Sequence, residues 1–201
     1  MLRIYGAPKS RALRTLWMVG ELGLEYEHKS WLPRSPETKT PEYRAINANG
    51  RVPTIDDDGF ILSESMAINF YLAKKHKSPL YPSDPKNEAL AWQWSLWETD
   101  RLDRQVVNYV RHSSELPEAE RRKEVADASW QEVSDSFDVL ETALSKSQWL
   151  AGPDFSVGDL NVASALYRAL FLDLSKWPHV DAWLKKCWDR PAAKRARAMR
   201  E

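Results

Sequence analysis

The chain has 201 residues, room for one large or two small domains, and 43% hydrophobic against 29% charged residues marks a folded globular protein, not a disordered one. Twenty-nine Lys and Arg balance twenty-nine Asp and Glu, so the formal net charge is zero and nothing points to nucleic acid as a general partner. A single cysteine, Cys187, excludes an intrachain disulfide and fits a reducing compartment. No apolar stretch approaches the roughly 18 residues of a membrane span. With no signal-peptide core either, a cytoplasmic protein without a membrane partner is expected.

Leu2-Arg3-Ile4-Tyr5 reads as a strand, and Leu13, Leu16, Trp17 and Gly20 then recur at helical spacing with Gly23 as the stop. Tyr26 to Trp31 reads as a second strand. Val52–Ile55 and Phe60–Leu62 flank the acidic turn Asp56-Asp57-Asp58-Gly59, a hairpin signal. A helical pattern runs from about Glu64 to His76. This order, β-α-β, an irregular helical stretch, then β-β-α, predicts a small mixed sheet covered by helices. Lys77 to Pro85 holds three prolines and reads as the linker between a domain over 1–78 and a second over 86–201. Beyond it strand signals vanish. Asn87 to about His112 is one long helical pattern. Pro117 to Leu144 is another, with a stripe of Val125, Ser129, Val133, Phe137, Leu140 and Leu144. Ser156–Leu172, Pro178–Asp189 and Pro191–Arg200 are shorter helices, the last with a basic solvated face. The predicted fold class is α/β plus all-α.

Three segments carry chemistry. Val52-Pro53 follows the Asn49-Gly50 turn and precedes a strand. A cis proline there would aim the Val52 backbone at an extended ligand, whereas a trans proline would simply start an edge strand. Leu62-Ser63-Glu64-Ser65 lies at a strand-to-helix junction. The first N–H groups of the helix and the Ser65 hydroxyl suit a carboxylate, and Glu64 suits an ammonium group; plain N-capping is the alternative. Ser10, in Tyr5-Gly6-Ala7-Pro8-Lys9-Ser10-Arg11, stands at a helix N-terminus that favours a thiolate, or caps the helix. Lowering a thiol pKa from about 8.5 to roughly 6.5 requires about 2.7 kcal/mol, within reach of one hydroxyl and a helix end. His112 and His179 have no companions at metal spacing, so no metal site is expected. Cys187, remote from all three segments, reads as a buried core thiol.

These segments, in this order, resemble the glutathione transferase family. The matching runs are Tyr5–Ser10, Leu16–Glu27, Asn47–Ile55 and Leu62–Leu72, followed in the helical half by Phe155–Ser164, which is similar to the family's buried capping box with Ser156 and Asp159 capping each other. The resemblance spans nearly the whole chain and points to serine-type, theta- and phi-like bacterial members. It implies a thioredoxin-like N-terminal domain, a cis Pro53, an all-helical C-terminal domain and a homodimer. It further implies that Ser10 donates to the thiolate of glutathione, the co-substrate, that Val52 and Pro53 hold its cysteinyl part, that Glu64 and Ser65 hold its γ-glutamyl end, and that Lys39 and Arg51 lie near its glycyl carboxylate. The spacing from Ser10 to Arg14 is one residue shorter than in some serine-type members. The electrophile pocket is expected at Trp94, Trp97, Arg101 and Arg104 of the first long helix after the linker, closed by Trp31. The expected activity is conjugation of glutathione to a hydrophobic electrophile. A non-catalytic binding or regulatory relative, or a glutathione-dependent peroxidase, are the rival readings. The absence of cysteine at position 10 argues against thiol–disulfide exchange, which needs a protein thiolate.

Overall fold

The structure, a computed structural model, describes residues 1–201. They form two compact units, one of Met1–Tyr81 with Asp189–Glu201 and one of Pro82–Trp188.

The first unit is built on a mixed four-stranded sheet of order β2-β1-β3-β4. β1 (Leu2–Tyr5) pairs in parallel with β2 (Glu27–Lys29), as a strand reached through a helical crossover does, and antiparallel with β3 (Thr54–Asp57). β3 turns into β4 (Phe60–Ser63) through Asp58 and Gly59, whose φ of 53° and 92° give the two left-handed residues of a tight hairpin. β3 thus lies two residues later than the sequence expectation, because Val52-Pro53 stays outside the ladder, while β4 starts at Phe60 as expected and extends to Ser63. Helix α1 (Ala12–Leu22) ends on Gly23 at φ 63°, as its sequence predicts. Short α2 (Pro41–Ile46) and α3 (Ser65–Lys75) complete the thioredoxin-like half. Ile4, Trp17, Met18, Val19, Ile55, Ile68 and Leu72 are its fully buried core.

In the helical unit, the long pattern after the linker is two helices, α4 (Pro85–Arg101) and α5 (Asp103–Val110), followed by a π-helical turn over Arg111–Glu115. The helical run is interrupted at Leu102 (φ −115°, ψ −49°), whose side chain is fully buried although its N–H still reaches Glu98. Periodicity did not mark this break because the hydrogen-bond ladder continues through it. α6 (Lys123–Leu144) buries Ser129, Val133, Phe137, Leu140 and Leu144 of the predicted stripe. α7 (Val157–Ala165) is buried along nearly all its length, as a central helix must be, and starts on the expected capping box. Ser156 N donates to Asp159 Oδ2 (3.1 Å), and Asp159 Oδ1 also accepts from Leu150 N (2.9 Å) and Trp183 Nε1 (3.0 Å). Burial pushes the Asp159 carboxyl up, against the pull of these donors. α8 (Pro178–Trp188) closes the unit.

α9 (Pro191–Arg200) belongs to the first unit, where it packs along α1. The last stretch of the expected 86–201 segment is therefore part of the unit that carries the sheet. The tryptophans mostly serve the core, and several buried indole N–H groups find acceptors: Trp17 on Glu21 (2.9 Å), Trp177 on Asp138 (2.6 Å) and Trp188 on the Ala163 carbonyl (3.0 Å). No helix is long and apolar enough to cross a membrane.

Candidate glutathione site

The loop from β1 to α1 extends the sheet beyond its last rung. Gly6 N donates to Lys29 O (2.8 Å), Ala7 N to Trp31 O (2.7 Å), and His28 Nε2 to Gly6 O (2.8 Å). Gly6 has φ 136°, and a Cβ there would stand 2.8 Å from the Cβ of Ala12 and 3.1 Å from that of Val52. Glycine is what lets this loop touch both the start of α1 and the Val52-Pro53 loop. Ser10 is half-buried. Its hydroxyl donates to Ala7 O (2.7 Å) and accepts from Ala12 N (3.0 Å), so it closes its own turn and takes up the first N–H of α1.

The Val52–Pro53 peptide is cis. The turn ahead of it converges on one atom, the Arg51 carbonyl oxygen, which accepts from Tyr43 Oη (2.6 Å) and Asn47 Nδ2 (3.1 Å). Tyr43 is 1% exposed, and burial raises its phenol pKa. Val52 follows this anchored carbonyl. It is half-buried, lies outside the sheet, and no backbone group of the protein pairs with its N–H or C=O.

At the start of α3, Glu64 adopts φ 70° and ψ 109°, a sparsely populated conformation for a residue with a Cβ, and no side chain caps the helix. The first turn of α3 therefore begins without a side-chain cap, at the end of the helix where partial positive charge favours an anion. Ser65 is 5% exposed and its hydroxyl accepts from Nη1 of Arg14 (3.3 Å), itself 4% exposed. Arg14, which stands behind Ser65, is a position that periodicity hid. It falls among Leu13, Leu16 and Trp17 on a helix buried from Ala12 to Val19, and a buried guanidinium is the one sign that the position is not ordinary core.

Lys39 ends the 3-10 turn Pro36–Lys39, and Arg51 follows Gly50; both side chains are exposed. The two segments touch, since a Cβ on Gly50 (φ 57°) would meet the Thr38 carbonyl at 2.7 Å. Two cations can therefore share one solvent-facing rim. Trp31 packs its ring on Tyr5 and Tyr43, with centroids 5.2 Å away in both cases.

On α4, Trp94 and Trp97 pack edge to face at 5.2 Å, Trp94 buried and Trp97 partly open. Arg101 is exposed and pairs with its neighbour Asp100 (2.9 Å), and Arg104 is exposed on α5. The helical unit also holds a cavity of about 350 Å³ that sequence reading did not single out, lined by Tyr109, Trp130, Leu172, Lys176 and Trp177. Cys187 is fully buried. His112 accepts from the Arg122 backbone, and His179 pairs with Glu141 (2.6 Å). No three His, Cys, Asp or Glu side chains gather as a metal-holding group.

A thioredoxin-like unit with an open cis-proline loop, an uncapped helix start and a following helical unit defines the architecture of glutathione-dependent transferases. The family model of the glutathione S-transferase N-terminal domain matches residues 1–74, and that of the C-terminal domain matches residues 101–191. The chain is 31% identical over 193 residues to glutathione S-transferase D7 of Drosophila melanogaster, covering 92% of this chain and 83% of that protein. It is 29% identical over 202 positions to glutathione S-transferase GstB of Escherichia coli, covering 97% of each. Its fold superposes with a TM-score of 0.90 on the theta class glutathione S-transferase of Xanthomonas axonopodis pv. citri, solved with glutathione bound, at 30% identity over 97% of this chain and 96% of the other. The chain belongs to the glutathione S-transferase family.

Proposed function

We propose that the protein is a serine-type glutathione transferase, which joins the sulfur of glutathione to the electrophilic carbon of a hydrophobic compound, and that it works as a cytoplasmic homodimer. The observation that carries this reading is the unpaired backbone of Val52 at the cis peptide, a ready edge for the cysteinyl part of a peptide ligand. The γ-glutamyl carboxylate is assigned to the uncapped N-terminus of α3 and to Ser65, with the Arg14 guanidinium adding charge behind them. Glu64 takes the ammonium group. Lys39 and Arg51 take the glycyl carboxylate. Trp31, Trp94, Trp97, Arg101 and Arg104 are assigned to the electrophile.

The thiol loses its proton to water. Ser10 and the N-terminus of α1 stabilise the thiolate, which then forms the carbon–sulfur bond as the leaving group departs with the bonding pair or, at an activated double bond, as the π pair shifts to the adjacent carbon, which takes a proton from water. For this the Ser10 hydroxyl hydrogen turns from Ala7 O toward the sulfur, a rotation about one bond. Holding both reactants in one site supplies the remaining rate gain through proximity.

The test is calorimetric titration with glutathione and with S-methylglutathione over a pH series. Glutathione should release protons on binding where the S-methyl analogue does not. Equal proton release by the two ligands would remove thiol activation and leave a binding protein, and no binding of either would overturn the assignment.

A further inference from the structure

α9 is held to α1 and to the loop before it by three arginines. Arg190 forks onto Glu21 through two bonds of 2.7 Å, and Glu21 also accepts from Trp17. Arg195 donates to Gly20 O (3.2 Å). Arg200 donates from Nη1 to Pro8 O (3.0 Å). Between these ties, Ala192, Ala193 and Ala196 form a buried face of small side chains, and a Cβ on Gly20 would stand only 3.3 Å from that of Ala192. The helix therefore starts at the C-terminal end of α1 and reaches the loop at its N-terminal end. Ten residues at about 1.5 Å each match the length of α1.

The contact at Pro8 differs in kind from the other two. Glu21 and Gly20 lie at the far end of α1, where a bond to α9 does nothing but hold two helices together. Pro8 is buried and precedes Ser10 by two residues. The neighbouring Ala7 carbonyl accepts both the Ser10 N–H (3.0 Å) and the Ser10 hydroxyl (2.7 Å). Of the two consecutive carbonyls in this turn, one is thus held by Ser10 and the other by Arg200. A guanidinium on the Pro8 carbonyl fixes that peptide plane. It also brings a positive charge to the turn that leads into the N-terminus of α1, where an anion is favoured.

We propose that Arg200 is a positioning residue for thiol activation: through Pro8 it holds the turn that presents Ser10, and its charge lowers the pKa of the bound thiol. This rests on the thiolate reading of Ser10. It predicts a role for the end of α9 that packing alone does not require, because Arg190 and the alanine face already secure the helix.

The experiment is a pH titration of the ultraviolet thiolate band of the glutathione complex, with kcat and KM for an activated aryl chloride, in wild type, Arg200→Met, Arg200→Lys and Arg195→Met. Arg200→Met should raise the thiol pKa by about one unit and cut kcat about tenfold below that pKa, with KM for glutathione within about twofold. Arg200→Lys, which keeps the charge, should recover part of the shift, and Arg195→Met should leave the pKa unchanged. A wild-type pKa retained in Arg200→Met overturns the proposal while the thiolate reading stands. The same rise in Arg195→Met also overturns it, since the effect would then follow helix docking in general. A wild-type complex with no thiolate band sinks the Ser10 reading itself, and this proposal with it.

Discussion

Two helices of the sheet-bearing unit start beside serines, and the two starts are opposites. At α1, Ser10 spends its hydroxyl on its own loop, donating to Ala7 and accepting from Ala12, so the end is closed until the hydroxyl turns. At α3 no side chain caps the helix, Glu64 is held at a positive φ, and Ser65 is wired to a buried arginine instead of to its own turn. A serine before a helix thus says little alone. What distinguishes the two starts is how far the hydroxyl is already engaged: Ser10 must turn its hydrogen from Ala7 O to meet a ligand, whereas the Ser65 hydroxyl is only accepting, from Arg14.

Exchanging the serines gives the largest expected effect. Ser10→Ala removes the hydroxyl that must meet the sulfur. If Ser10 supplies most of a two-unit drop in thiol pKa, turnover should fall about 100-fold, with glutathione affinity within about twofold. Ser65→Ala should do the reverse, weakening glutathione about tenfold, as loss of one hydrogen bond to a charged group does, with kcat nearly unchanged at saturation. Steady-state kinetics paired with calorimetry reads both. Equal turnover of Ser10→Ala and wild type would leave Ser10 to close its own turn only.

Arg14 sharpens the contrast at somewhat smaller scale. Arg14→Met keeps the bulk within α1 and removes the charge behind Ser65. Glutathione affinity should fall about tenfold, in line with about 1.4 kcal/mol, while a glutathione analogue lacking the γ-glutamyl carboxylate should bind both proteins alike. A similar loss for both ligands would mean that Arg14 supports the fold and not the carboxylate.

The same contrast decides what was legible in the sequence. The strand-helix-strand order, the hairpin at the Asp56–Gly59 run, the Gly23 stop and the Ser156–Asp159 box are local devices, written in neighbouring residues, and each is present, with the hairpin turn confined to Asp58-Gly59 because Asp56 and Asp57 join β3. Val52-Pro53 could be located but not resolved between cis and trans from spacing, because the isomer depends on surrounding packing; the family resemblance implied cis, which the structure has. The break at Leu102 was invisible, since a buried leucine fits a straight helix equally well. Arg14 and Arg200 were missed for one reason: their partners lie 51 and 192 positions away. The basic end of the chain read as a solvated helix face, yet Arg190, Arg195 and Arg200 aim at α1 and its loop.

A third helix start, in the helical unit, extends the comparison at the smallest expected effect. At α8 the carboxylate of Glu141, from α6, accepts from His179 N (3.0 Å) and Val180 N (3.0 Å) in the first turn. This is an internal version of what a ligand carboxylate would do at α3. Burial tends to raise the Glu141 pKa, but the His179 side chain and the two backbone donors outweigh it and leave the pKa lowered. A carboxyl whose folded pKa lies below its unfolded value of about 4.3 stabilises the protein above that value, and the gain is lost as pH falls through the folded pKa. Glu141→Gln should therefore cost about 1 kcal/mol at neutral pH. The gap between variant and wild type should close in acid, as measured by denaturant unfolding across a pH series. A gap that stays constant into acid would show that shape, not charge, holds the start of α8, and would weaken the case for a carboxylate at the equivalent end of α3.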